Sequence, residues 1–460
     1  MLTVRRHRHE LTFGEVRELI QLHQKNQNRM TKLLEEYKGN NHEINNMERK
    51  ADGKADNRIS HSFPYLISST ICGFMNAKPN IRFEEQEIGE VINDVFKYND
   101  ADKQNTSLLL DMSIYGVGVE QFYIDKRGNI RFKRIDARDV IVVKDSSIEE
   151  ETFLVIKHWK VEGIGEENEE YIELYYEHKV IRYYQNNKNE IHDMTEETLF
   201  FNDVPFNIYK NNEQELGDYE RILPIVGAYN KYQSEILNGV QDITNALMLI
   251  SGVTLSDEQL QQVKNLRVLV DENAIDAKMI YNDVQFNEAY LQNLRRDIFA
   301  LSGCIDLTSS EVGNLSGSAL KQRLVNLFYI CSVKANYLKE GYLRRIELIL
   351  NIHGLTHNVN IDEIIKNTEI EINYNTLEDS TEMLALVQGL DGIVSKETQL
   401  GLLGDKIVSV EDELEKLAKE REENMSMFSF MQDEQGHLLS EDEEEPLDGD
   451  TDEEETTEEV

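Results

Sequence analysis

The sequence has little that bends, cross-links or anchors a chain. Five prolines in 460 residues leave long elements uninterrupted and argue against a string of linker-joined domains. Three cysteines, Cys72, Cys304 and Cys331, sit in apolar patterns without CxxC spacing. That excludes a disulfide framework or a cysteine-rich metal site and fits a reduced, cytosolic folding compartment. No run of about 18 apolar residues occurs, so no membrane span is expected. Met1–Glu10 carries arginines where a signal peptide would be apolar. Positive charge is also scarce: 48 Lys and Arg against 87 Asp and Glu give a net charge of −39. Residues 441–460 hold thirteen acids and no base, which leaves −26 on the rest. A basic footprint for gripping nucleic acid is missing.

What is present is mostly helix and strand pattern, an α+β chain. Met1–Glu10, with Arg5, Arg6 and Arg8, reads as a frayed terminus, or else as a tether to nucleic acid or a partner. Helical periodicity runs from Leu11 to Tyr37, and residues 38–60 read as a polar loop. A short apolar helix at Phe63–Met75 is expected to be stopped by Pro79. Two helices follow at Ile88–Asn99 and Asn105–Tyr115. Six β-branched and aromatic runs between Val119 and Tyr184 predict one antiparallel sheet, with a hairpin at Asp125–Asn129. Asn186–Asp203 reads as a loop or edge hairpin, and Pro205–Tyr209 closes the block.

Pro224 can start a helix. From there Ile225, Tyr229, Tyr232, Ile236, Val240, Ile243, Leu247 and Ile250 recur at steps of three and four, a seam of coiled-coil quality. The opposite face is polar: Asn230, Ser234, Asn238, Gln241 and Asn245. A small α/β insert at Gly252–Val284 separates this helix from a second one through Tyr290, Leu294, Ile298 and Leu301. Thr308–Gly317 then has loop chemistry, small, polar and glycine-containing. Apolar residues resume at helical spacing from Leu320 to Ile349, with Ser316 or Ser318 as the cap. A rod from Ser318 to Leu350 would be about 50 Å long. After it come a short helix near Ile361, a strand at Glu369–Tyr374, and helices at 380–390, 395–403 and 410–424. The acidic end cannot bury enough apolar area to fold; it reads as a solvating tail, or as a lure for a basic partner.

Candidate chemistry is thin. His353 and His357 have a spacing that could hold zinc, but Gly354 lies between them and no third ligand is near. Asp136 and Asp139 could form a carboxylate pair, but they read as a turn between strands. Gly313–Gly317 lacks the phosphate-loop arrangement. No Ser/His/Asp or Cys/His set stands out. Trp159 reads as a core residue. Lys321, Arg323, Lys334, Lys339, Arg344 and Arg345 outnumber the acids on the long helix. They read as intersubunit ion pairs, with transient phosphate contact by Lys321 and Arg323 as the alternative. No cofactor, no metal and no enzymatic activity are expected.

Several short motifs occur in a telling order. They are Arg29, Leu34, Tyr37 and Gly39; Asn57-Arg-Ile with Phe63 and Ile67; Tyr115-Gly116; and Ile135-Asp with Ile141-Val-Val. Pro205-Phe, Asn211-Asn-Glu213, Leu223-Pro, Ala228-Tyr-Asn and Ser234 follow. Gly313-Asn-Leu-Ser-Gly317-Ser-Ala-Leu-Lys321, Ile370–Asn375, Glu378–Glu382 and Ser395–Gln399 complete the series. From Leu11 to Glu423 the chain resembles the portal proteins of tailed bacteriophages of the siphophage type. It departs from them at Gly227, where the family often has Asp, and at Thr376-Leu377, where a Pro is common.

The resemblance implies a portal fold. Residues 1–10 would be a basic arm, 11–223 a wing of helices and antiparallel sheet, 224–250 and 287–304 two stem helices, and 251–286 a small α/β clip. Residues 305–315 would be the tunnel loop, 316–379 the long helix and the return to the wing, 380–424 a helical crown, and 425–460 the acidic tail. It implies a ring of about twelve copies at one capsid vertex with double-stranded DNA passing through it. Thr308, Ser309, Ser310, Glu311, Val312, Gly313, Asn314 and Leu315 would border the channel. Leu266, Val268, Val270, Lys278 and Ile280 would belong to the docking site for the terminase large subunit and later a head-completion or connector protein. Tyr229, Ile236, Val240, Ile243 and Leu247 would pack the stem. Scaffolding and major capsid proteins would be further partners, with assembly in the host cytoplasm and residence in the virion. A helical scaffold or adaptor in virion assembly is the competing reading, and a metal hydrolase at His353 and His357 a third.

Overall fold

The computed structural model describes residues 1–48, 50, 54–162, 168–185, 191–244, 249–251, 269–271, 284–306, 317–354, 359–375, 389–390, 392–401, 410 and 412–421. The chain divides into two compact units, Met1–Thr376 and Leu377–Val460.

In the first unit, β1 (Leu2–Arg5) precedes α1 (Phe13–Tyr37), α2 (His42–Asn45), α3 (Phe63–Phe74), β2 (Met75–Arg82), α4 (Gln86–Tyr98) and α5 (Ala101–Tyr115). Then come β3 (Val117–Ile124), β4 (Ile130–Ile135), β5 (Val140–Lys144), β6 (Thr152–Glu162), β7 (Asn168–Tyr176), β8 (Lys179–Gln185), β9 (Ile191–Thr198) and β10 (Phe206–Lys210). α6 (Leu223–Thr244), β11 (Leu249–Ser251), β12 (Leu269–Asp271), α7 (Val284–Ser302), α8 (Gly317–His353), α9 (Ile361–Asn367) and β13 (Glu369–Tyr374) complete it. In the second unit, α10 (Lys396–Gly401) and a helix at 412–421 are described. The latter carries the exposed pairs Lys416–Glu413 and Lys419–Glu415, as a charge-dense solvated helix should.

The expected single sheet is in fact two. β5 to β9 form an antiparallel meander whose edge at β9 is the hairpin alternative read for 186–203. β3 and β4 instead join β10 in a separate three-stranded sheet. The switch is local: Asp136 accepts the Arg138 N–H and starts a one-turn 3-10 helix, Ala137–Asp139, that redirects the chain between β4 and β5. The Asp125 hairpin is present, with Asp125 Oδ1 accepting from the N–H groups of Arg127 and Asn129.

The arm is a second correction. Leu2–Arg5 is a strand pairing parallel to β5, from Leu2 opposite Ile141 to Arg5 opposite Lys144. Leu2 and Val4 pack against the sheet's core. Its arginines are matched inside the chain: Arg5 with Glu150, Arg6 with Glu15, Arg8 with Asp145 and Glu151. Neither a frayed end nor a free basic tether describes it. Pro79 is a third. It lies within β2, opposite Ile372 of β13, in a two-stranded sheet whose outer edge needs no N–H.

α1 opens with a capping box: Glu15 N–H to Thr12 Oγ1 at 3.4 Å, and Thr12 N–H to the Glu15 carboxylate at 2.9 Å. Val16, Leu19 and Ile20 pack on Ile141, Leu154, Ile172 and Ile181 of the six-stranded sheet, while Met30 and Leu33 enter the main core. That core joins α3, α5, β3 and β10 to Leu327, Cys331, Ala335, Leu338 and Tyr342 of α8. Two glycines permit the joins. Gly116 ends α5 at φ +86°, pressed against the Glu215 carbonyl. Gly341 lets the Tyr209 ring of β10 lie on α8, where Asn207 donates to the Gly341 carbonyl at 2.7 Å.

Candidate functional site

Three helices, α6, α7 and α8, carry most of the described residues that the sequence marked as functional. The periodicity of α6 was read correctly in phase, but its polar face proved the more deeply buried. Asn230, Ser234 and Asn238 are buried at steps of four. Their side-chain oxygens accept the backbone N–H groups of His61, Ile59 and Asn57, at 3.0, 2.9 and 2.6 Å. Geometry explains the match. Four residues of helix rise about 6 Å, and two residues of extended chain span about 6.6 Å. Alternate amides of residues 57–61 therefore meet successive turns of α6. The Glu43 carboxylate fills the space beside Gly227 that a side chain there would need.

The apolar seam faces α7 at its start. Tyr229 is buried against Phe63 and His61. The Tyr232 ring meets Tyr290 at 4.8 Å and its hydroxyl donates to Asn287 Oδ1 at 2.6 Å. Ile236 is half-buried and Val240 is 55% exposed, so the seam opens toward the end of the helix. α6 ends at Thr244; Ile250, read as helical, lies on β11 opposite Val270 of β12. Ile243 lies on α6. Leu247, Leu266, Val268, Lys278 and Ile280 fall outside the described residues, as do Thr308 to Leu315. In α7, Ile298 and Phe299 are buried, but Leu301 is 65% exposed. Arg295 pairs with Asp306 at 2.9 Å.

α8 is 37 residues long, about 55 Å. Lys321 lies in its first turn and Arg323 is exposed in its second. Three of its other basic residues are matched within the chain, which overturns the intersubunit reading for them. Lys334 is buried and meets Asp218 at 2.6 Å, and Asn211 also donates to that carboxylate. Arg344 pairs with Asp203 at 2.7 Å and Glu347 at 2.8 Å. Arg345 is fully buried: it donates to both Glu120 oxygens at 2.9 and 3.0 Å and to Asn105 at 2.6 Å. The rings of Phe132, Tyr342, Tyr209 and Phe96 surround its guanidinium at 4.7 to 5.7 Å. Burial opposes the charge on Lys334 and on Arg345; Asp218 and Glu120 more than offset it, and both pKa values are raised. These acids lie 116 and 225 positions away in sequence, beyond any local pattern.

The remaining candidates resolve as structure. Asp136 pairs with Arg138, and burial beside Asp136 pushes Asp139 up to about 6. Trp159 is half-buried on a sheet face, stacked on Tyr171 with Lys157 over its ring. Burial pushes the thiols of Cys72, Cys304 and Cys331 up to about 11, 12 and 12, away from the thiolate form that nucleophilic chemistry uses. Among the described residues no cluster could hold a metal ion, and no helix is long and apolar enough to cross a membrane. His353 ends α8, and His357 lies outside the described residues.

Comparison with known proteins gives these helices a context. The family described as phage portal protein, SPP1 Gp6-like, matches residues 17–427. The portal protein of Bacillus phage SPP1 is 21% identical over 412 residues, covering 84% of this chain and 79% of that one. The matched span runs from within α1 through the helix at 412–421, and on that ground the chain belongs to the phage portal protein family.

Proposed function

We propose that this chain is the subunit of a closed ring of about twelve copies at one capsid vertex, through which DNA is packaged and ejected. The family match across residues 17–427 carries the reading. The role is structural. The ring anchors a terminase that burns ATP during packaging and a head-completion protein afterwards; capsid and scaffolding proteins surround it in the virion.

The elements take parts in that ring. α6 and α7 are the stem, residues 251–286 between them the clip, and residues 305–315 the tunnel loop, with α8 as the rod behind it. The helices and sheets up to residue 223 are the wing, and residues 380–424 the crown. Lys321 and Arg323, at the loop end of α8, meet passing phosphates transiently.

A net charge of −39 suits a conduit. Phosphate neutralisation dominates DNA affinity, and a channel that grips the duplex cannot pass it. An acidic ring repels phosphate and keeps the duplex centred, while Val312, Gly313, Asn314 and Leu315 offer a neutral tip. An image of the purified protein down its axis tests the reading. A closed ring with a hole wide enough for a double helix is expected; discrete single copies would overturn it. Within that ring, Leu315→Asp or deletion of residues 312–315 is expected to leave assembly intact and lower packaged DNA.

A further inference from the structure

α8 has an outward face that the described residues leave largely uncovered, with Phe328 at its edge against Tyr374. Tyr329 is 63% exposed and Val333 53%, with Val325 one turn before them, a stripe at steps of four. Phe328 and Ile330 flank it, both exposed in part. Gly303 lies against the Ile330 side chain, two residues after the exposed Leu301 of α7.

Charge makes the face unusual. In a chain with 29% charged residues, Lys334 is the only charged side chain between Leu324 and Tyr337. It is turned inward onto Asp218. Between Leu324 and Tyr337 the neighbours of the stripe on the outer face are neutral, namely Asn326, Ser332 and Asn336, and the cations Lys321 and Arg323 stand only at its loop end. Fourfold-spaced apolar residues between amides are what a packed helix contact presents. The absence of charge also selects the occupant. Duplex DNA would call for cations here, and a basic partner for carboxylates. A second copy of this chain, itself strongly acidic, can approach closely only where both surfaces are stripped of charge.

We infer that the Val325–Tyr329–Val333 face of α8 is the surface on which the neighbouring subunit of the ring docks. The inference rests on the ring reading. A cyclic ring has head-to-tail contacts, so this face meets a different surface of the neighbour, not its own image. The stripe lies on the N-terminal half of α8, the half next to the proposed tunnel loop at 305–315. The contact therefore fixes each loop relative to the next subunit.

Tyr329→Asp and Val333→Asp place a carboxylate at the centre of the contact. Each variant is expected to keep its circular dichroism spectrum and to lose the ring population at least about tenfold in size-exclusion chromatography with light scattering. Intact rings in both variants would overturn this face and leave the portal reading standing. A wild-type chain that forms no ring would overturn both. Should a variant unfold, Val333→Cys decides, read against the background labelling of the native chain, in which Cys304 and Cys331 are buried and Cys72 is half-buried. In assembled rings its maleimide labelling should run at least about tenfold slower than that of Ile148→Cys, at a site 99% exposed. Equal rates would overturn the proposal.

Discussion

The two halves of α8 are buried to very different degrees. From Leu338 to Leu350 the helix is provided for by its own chain. Leu338, Tyr342, Ile346, Ile349 and Leu350 are buried, and Arg345 is sealed among Glu120, Asn105 and four aromatic rings. From Gln322 to Val333 only Leu327 and Cys331 are buried, while five apolar side chains reach solvent. The same helical pattern thus serves two ends: one half binds the rod to the β3–β10 sheet, and the other offers a surface. A rod anchored at one end and docked to its neighbour at the other holds the segment before it at a fixed place in an assembly.

The largest effect should come from the anchored half. Arg345→Met leaves the buried Glu120 carboxylate without its cation, with only the Tyr209 hydroxyl donating to it, and should cost about 3–5 kcal/mol in denaturant unfolding of the separated chain. A loss below about 1 kcal/mol would remove the anchor from the comparison. A second prediction takes a control from α1, where every contact described is internal. His23 is fully buried, bonded to the Arg138 carbonyl at 2.8 Å, and burial lowers its pKa to about 4 from 6.5. The unfolded chain therefore binds the proton first. Stability from this group is complete above about pH 6.5 and falls as pH drops toward 4, by about 3 kcal/mol. Asp111 and Asp139, raised to about 6 by burial, act in the opposite sense. The contrast is consequently read between wild type and His23→Gln, which should lack that acid-side loss. Identical pH profiles would refute it.

Smaller still is Ser234→Ala, which strips the acceptor from the Ile59 N–H and should cost about 1 kcal/mol. No change would mean that the α6 ladder is ornamental to stability. The smallest effect belongs to the open half: Tyr329→Ser should alter the stability of the separated chain by less than about 0.5 kcal/mol. A larger loss would show that the stripe serves its own fold.

Much of this was legible in the sequence. The rod, the two helices before it and the hairpin at Asp125 follow from local periodicity and turn chemistry, which a single chain displays in full. The portal family was legible from the order of short motifs. What was hidden depends on partners far away in sequence. Nothing near Leu2 announces its pairing with Ile141, and nothing near Lys334 or Arg345 announces Asp218 or Glu120. Their charges read as surface because burial is set by the fold. The polar face of α6 misled for the same reason: polar side chains at steps of four are solvated unless a neighbouring segment supplies donors at the matching repeat, and residues 57–61 do.

The central claim is that many copies of this chain close on themselves through uncharged helix surface. Mass photometry of the purified protein at physiological ionic strength tests it most directly. The account predicts one dominant species near twelve times the 53.4 kDa of a single chain, persisting as salt is raised. A population confined to single copies or dimers would contradict it.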